Sequence, residues 1–178
     1  MLPVDVDAHG INVDQVEQIM QHTHINAIYV TPRHQYPTTV TLSSQRRQQL
    51  VKLVRQHPFY VIEDDYGAEF HFYGLKLPPL YRLLPSESAV YIGSFSKILA
   101  PAIRIGMMAA SEEVIKKVGD LRNLIDIQGD NIMEQAVLDL IEQGAIRRHI
   151  KRATKQYHEK KEYLNNRLRG LADRLDYH

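Results

Sequence analysis

The sequence predicts an α/β fold built on a mostly parallel sheet flanked by helices. Three observations predict it. Short apolar runs rich in β-branched residues alternate with stretches of helical periodicity over residues 1–144. Polar residues gather just past the ends of those runs, at Thr31 to Gln35, Asp64 to Tyr66 and Ser94 to Lys97. From Ala145 onward the pattern becomes that of one long helix.

The elements follow in order. The chain begins as if in a strand already in progress and stops at Arg174-Leu175-Asp176-Tyr177-His178 without a closing signal, so a piece of a longer protein is expected. Val13, Val16 and Met20 recur at helical spacing after Asn12, a good N-cap. Ala27 to Thr31, ended by Pro32, reads as a buried strand. Ser43 can cap a second helix whose inner face carries Leu50, Leu53 and Val54, with Pro58 beyond its end. Phe59 to Ile62 is the next strand and runs into Glu63-Asp64-Asp65; Leu77-Pro78-Pro79-Leu80 is a loop or short turn. Ala89 to Ile92 is a third strand, and Arg104 to Ala110 a fourth, whose Met107 and Met108 are read as core. Helices are expected over Glu112 to Ile125 and Asn131 to Gln143.

The last segment, Ala145 to Ala172, holds Ile146, Ile150, Ala153, Tyr157, Leu164, Leu168 and Leu171 near one stripe. Nine Lys/Arg and two Glu between Arg147 and Arg169 occupy the other faces. No base-reading motif accompanies them, so they read as the solvated face of a strut between domains rather than a nucleic-acid patch.

Composition narrows the class. The 178 residues are 44% hydrophobic and 24% charged, with a net charge of +1, ordinary for one globular domain and without a bias toward acidic or basic partners. The absence of Cys excludes a disulfide framework and thiolate metal sites and agrees with a cytoplasmic setting. No apolar run has the length of a membrane span, and Met1 to Asp7 lacks the features of a signal peptide. His22 and His24 form a pair without companion ligands, so no metal is expected.

Three strand ends offer one chemistry. An amine at Lys97 can attack an aldehyde, best when burial keeps it neutral. Asp64 offers a carboxylate for a ring nitrogen, Tyr66 a phenol, and Ser94, Ser96 and Arg104 donors for a phosphate. By contrast, Glu63, Asp65 and Glu69 read as solvated or loop-bonding rather than catalytic. Ser96 serves equally well as a phosphate ligand or a turn cap, and His34 reads as a loop hydrogen-bonder.

The order Thr31-Pro32-Arg33-His34-Gln35-Tyr36-Pro37-Thr38, Ile62-Glu63-Asp64-Asp65-Tyr66-Gly67-Ala68-Glu69-Phe70, Tyr91-Ile92-Gly93-Ser94-Phe95-Ser96-Lys97 and Arg104-Ile105-Gly106 resembles the aminotransferase-like domain of MocR-type (GntR family) transcriptional regulators, within the fold-type I, aspartate aminotransferase-like superfamily. The resemblance covers nearly the whole chain. It implies pyridoxal 5'-phosphate as cofactor, held as a Schiff base by Lys97. It implies Asp64 as partner of the pyridinium nitrogen, Tyr66 as donor to the ring hydroxyl, and Ser94 and Arg104 as phosphate ligands, with Ser96 a further candidate. Gln35 or Tyr36 stands where many aminotransferases place an Asn on the ring hydroxyl. Thr38-Thr39 replaces the usual Thr-Gly or Ser-Gly.

The resemblance also implies a partial fold. Residues 1–144 match the C-terminal part of the cofactor-binding large domain, and 145–178 the long interdomain helix and the start of a small domain. The Gly-rich phosphate turn and the ring-stacking aromatic of the family precede this stretch, and its substrate-gripping Arg follows it. A homodimer in the parent protein, an amino-acid-like ligand, and DNA contact only through a separate winged-helix domain are expected, with no membrane. Three functions follow: an effector-sensing module, part of an aminotransferase moving amino groups between amino and keto acids, or a fragment inert when isolated.

Overall fold

The computed structural model describes residues 1–67, 69–70, 77–126 and 129–169. It begins with two short antiparallel strands, β1 (Val6–Asp7) and β2 (Gly10–Ile11), which pair Val6 with Ile11. The opening strand expected from sequence is thus a two-residue ladder. Helix α1 (Val13–Met20) starts where Asn12 accepts a hydrogen bond from the Gln15 N–H, the cap expected of an Asn before an apolar-periodic run. Helix α2 (Ser44–Gln56) starts the same way on Ser43, whose hydroxyl accepts from the Arg46 N–H.

Strands β3 (Ala27–Val30), β4 (Tyr60–Asp65), β5 (Ala89–Ser94) and β6 (Gly106–Ala109) form a sheet in that order. The β3–β4 and β4–β5 pairs are parallel and β5–β6 antiparallel. The chain is therefore α/β with a mostly parallel sheet, as the strand and helix alternation predicts. Helices α1 and α2 cover one sheet face: Val13, Val16, Leu50, Leu53 and Val54 close on Ile28, Val30, Phe59 and Val61 in one buried cluster.

Four differences from the sequence expectation have physical causes. β3 is half-buried rather than buried, because it lies at an edge of this sheet and turns Ala27 and Tyr29 to the outside. β4 runs three residues past Ile62, because the side chains of Glu63 and Asp65 find partners inside and the ladder need not stop at the charges. β6 starts two residues late, because Arg104 takes a left-handed φ of 53° at the end of a 3₁₀ turn over Pro101–Ile103. Met107 is 46% exposed and not core, because β6 is the other edge of the sheet.

Glu63 is loop-bonding, one of the two roles expected of it. It is 0% exposed, and its carboxylate accepts from the backbone N–H groups of Leu80 (2.9 Å) and Tyr81 (2.6 Å). The carboxylate bonds a loop, as expected, but is not solvated. It pins the 3₁₀ turn Leu80–Leu83 to the sheet. Burial pushes its carboxyl above the usual range, against the two N–H groups, which pull it down. Arg47, on the buried face of α2, donates to the Pro78 carbonyl just ahead of that turn.

Helix α3 (Glu112–Ile125) has no buried residue. Helix α4 (Asn131–Glu142) buries Val137, and α5 (Ala145–Arg169) buries Ile146 and Ala153 of the expected stripe. Tyr157 and Leu164 of that stripe are largely exposed, while Leu171 and the expected end of the helix lie outside the described residues. The chain divides into two compact units, Met1–Ala68 with Leu77–Asn131, and Glu69–Lys76 with Ile132–His178. In the second unit the Phe70 ring meets Tyr157 edge-on at 5.2 Å.

Leu50 is 0% exposed at the centre of the cluster. Leu50→Ala is expected to cost about 2–5 kcal/mol of unfolding free energy, measured as the shift in a urea denaturation midpoint.

Candidate functional site

Every candidate site residue lies in the first unit, at the carboxyl ends of β3, β4 and β5 or in the segments that leave them. The pleat assigns their faces. Alternate residues of a strand point to opposite sides of the sheet. Register pairs Tyr29 with Ile62, Asp64 with Ile92, and Ser94 with Gly106. Tyr29, Asp64 and Ser94 therefore step across three neighbouring strands on one face. Glu63 and Asp65 point to the other, among the packed residues.

Asp64 is half-buried, and its Oδ2 accepts a hydrogen bond from the Tyr29 hydroxyl at 2.5 Å. Its Oδ1 receives none from a described residue. Tyr29 was not among the sequence candidates. The signal that finds it is register: it sits diagonally across from Asp64, within reach of a long side chain. Burial and the Asp64 carboxylate push the Tyr29 phenol up to about 12.

Asp65, 4% exposed, accepts from the Tyr91 hydroxyl at 2.9 Å and pairs with Arg33 at 3.4 Å. It is buried rather than solvated and takes the other expected role, tying β4 to β5 and to the segment after β3. Burial, then the Asp65 charge, raises the Tyr91 phenol, which stays a donor.

Tyr66 donates to the His34 carbonyl at 2.6 Å. Its phenol is also raised, by burial first and then by the Asp64 charge. The segment it holds is tightly self-bonded. Gln35 accepts from the Thr31 hydroxyl at 3.2 Å, its amide donates to the Tyr36 carbonyl at 3.4 Å, and the Tyr36 ring is exposed. His34 packs against Gly67, where a Cβ would lie 3.3 Å from the His34 ring. Thr39 adopts a φ of 62°. That left-handed conformation suits Gly and crowds a β-branched residue, so the Thr in place of the usual Gly keeps the loop shape at a cost in strain.

Beyond β5 the chain makes a tight turn. The Phe95 carbonyl accepts from Ile98 (3.1 Å) and Leu99 (2.9 Å), and the buried Ile98 anchors it. Lys97 sits in this turn and is exposed, so the described residues do not supply the burial that sequence reasoning asked of its amine. The Ser94 hydroxyl accepts from the Ser96 N–H at 3.1 Å, so Ser94, not Ser96, caps the turn. Ser96 is half-buried, and its hydroxyl bonds no described residue. The Phe95 N–H donates to the Ile105 carbonyl at 3.0 Å, and this brings the backbone of Arg104 beside the turn. Gly93 faces Met107 across the β5–β6 pair, and a Cβ there would lie 2.9 Å from the Met107 methyl group, which would have to move aside.

The model of the family "Aminotransferase class I and II" matches residues 4–177. The chain belongs to this family. Pyridoxal phosphate, the cofactor expected from the sequence, is the cofactor of these class I and II aminotransferases. The chain is 30% identical over 161 residues to the uncharacterized HTH-type transcriptional regulator YdeL of Bacillus subtilis, covering 90% of this chain and 34% of that protein. It is 28% identical to aromatic-amino-acid aminotransferase 1 of Thermococcus litoralis, covering 90% of this chain and 40% of that one. Among solved structures it is similar to kynurenine aminotransferase of Pyrococcus horikoshii, in complex with PMP, with a TM-score of 0.87 and 26% identity over 94% of this chain and 43% of that one. The aminotransferase-like chain thus spans less than half the length of these relatives.

Two outcomes are expected. Below pH 10 the Tyr29 phenol is neutral whether the chain is folded or not. From 10 toward about 12 the unfolded form ionises first, so the stability that this bond contributes falls as pH rises. Asp64→Asn lowers the Tyr29 ionisation midpoint toward 10, read from phenolate absorbance of the variant against a Tyr29→Phe control. Thr39→Gly raises unfolding stability by about 1 kcal/mol by relieving the left-handed Thr, read by denaturant titration.

Proposed function

We propose that this chain is the cofactor-binding part of the effector-sensing module of a MocR-type transcriptional regulator. The observation that carries the reading is that Asp64 and Ser94 share a face at one end of the sheet through the β4–β5 register, with Lys97 in the turn that leaves β5 and the Arg104 backbone beside that turn. That donor set fits pyridoxal phosphate: an amine, a carboxylate with one oxygen unclaimed by the described residues, hydroxyls and a guanidinium. The likeness to a helix-turn-helix regulator and the His-Gln-Tyr-Pro and Glu-Asp-Asp-Tyr sequences support the regulatory branch.

In this reading the Lys97 amine holds the cofactor. Asp64 keeps a proton on its ring nitrogen. Ser94, Ser96 and Arg104 bind its phosphate. Tyr66 and Gln35 line the ring hydroxyl, and Tyr66 exchanges its bond to the His34 carbonyl for that role. The bound cofactor supplies an electron sink for an amino compound. Residues 1–144 belong to the large domain of the parent protein, and 145–178 lead toward its small domain. The parent is a cytoplasmic homodimer that meets DNA through a separate domain and binds an amino-acid-like effector. Among the described residues no helix is long and apolar enough to cross a membrane.

A second reading, part of an enzyme that transfers amino groups, is favoured by the likeness to aromatic-amino-acid aminotransferase 1. The site residues serve both. Amino-donor turnover by the full-length protein supports the enzyme, and ligand-dependent DNA binding without turnover supports the regulator.

Borohydride reduction in the presence of pyridoxal phosphate is expected to fix the cofactor on the peptide that contains Lys97, and Lys97→Ala to abolish the adduct. Mass spectrometry reads both. An unmodified wild-type peptide would leave the chain inert and sink the proposal.

A further inference from the structure

The Asp64 carboxylate is held from one side by a residue that no part of the proposed site yet uses. The Tyr29 hydroxyl donates to Oδ2 and makes no other hydrogen bond among the described residues. The second phenol near Asp64, Tyr66, gives its hydrogen to the His34 carbonyl instead, which leaves Tyr29 as the hydrogen-bond donor to this carboxylate. Tyr29 itself is 59% exposed, so the core does not require its hydroxyl. Tyr29 and Asp64 reach one another because parallel register places them diagonally on the same sheet face, one strand apart.

We propose that Tyr29 is a positioning residue for the cofactor's ring nitrogen. Its hydroxyl fixes the Asp64 carboxylate through Oδ2 and leaves Oδ1 as the oxygen for the ring N–H. This rests on the reading of Asp64 and Lys97 given above. An aspartate side chain rotates easily about its last bond, which is broad and roughly two-fold in preference. One donor on one oxygen removes that freedom before the ligand arrives, as a supporting contact does for a metal-ligating side chain. A phenol suits the task. Its ionisation is pushed up to about 12, so it remains a donor through the whole range in which proteins work.

The test is a double-mutant cycle in the full-length protein that carries this chain, with pyridoxal phosphate as the probe. Its dissociation constant is measured for wild type, Tyr29→Phe, Asp64→Ala and the double variant. The pH at which the bound cofactor changes colour is recorded for wild type and Tyr29→Phe. Tyr29→Phe is expected to weaken binding by about 5- to 10-fold, within the range of one net hydrogen bond. It is also expected to move the colour midpoint. In the Asp64→Ala background the same substitution should change nothing. Equal losses in both backgrounds would show that Tyr29 acts on the fold and not through Asp64, and would overturn the proposal, as would unchanged affinity in Tyr29→Phe. If Asp64→Ala fails to fold, Asp64→Ser takes its place in the cycle. Borohydride trapping on Lys97 separates the two levels. Trapping in wild type with no effect of Tyr29→Phe sinks this inference alone, and no trapping in wild type sinks the site reading together with it.

Discussion

Three consecutive carboxylates on β4 cannot share a face, and the arrangement at this end of the sheet depends on that constraint. The pleat sends Glu63 and Asp65 into the interior and Asp64 to the opposite side. A buried carboxylate is tolerated only with donors around it. Glu63 takes the N–H groups of Leu80 and Tyr81, and Asp65 takes Tyr91 and Arg33. The two inward carboxylates therefore stitch the strand to a turn after it, a neighbouring strand and the segment after β3. The outward one meets the Tyr29 hydroxyl. A one-residue slip of β4 would exchange these roles at once.

The segments that flank Asp64 are shaped by their own backbones. Thr31, Gln35 and Tyr36 bond among themselves, and Thr39 accepts a left-handed conformation that a Gly would take without strain. Ser94 caps the turn that displays Lys97, and the Phe95 to Ile105 bond draws the next strand alongside. Short loops at the carboxyl ends of a parallel sheet are where this fold class binds its ligands. The class I and II aminotransferase family supplies the setting in which such strand ends bind a phosphorylated ring.

Much of this was legible in one dimension. The N-caps Asn12 and Ser43 mark helix starts through a local rule, because a side-chain oxygen reaches a backbone N–H three residues on. Leu50, Leu53 and Val54 declare the inner face of α2 by spacing. The candidate residues Asp64, Ser94 and Lys97 stand at strand ends, and strand ends are where such sheets bind ligands. What periodicity could not show is which strands are edges. Met107 and Tyr29 have the composition of interior residues and are exposed, because β6 and β3 each have one neighbour among the described strands.

The sequence by itself determined the α/β class, the helix caps and the family, and it named the candidate residues for a phosphorylated cofactor. These follow from local spacing and residue chemistry. Tertiary structure alone decided which acidic residue faces outward, and that Tyr29 meets Asp64 across 35 residues of chain. It also decided that Ser94 rather than Ser96 closes the Lys97 turn. The reason is register: a pairing between strands sets faces and diagonal neighbours, and it belongs to no single stretch of chain.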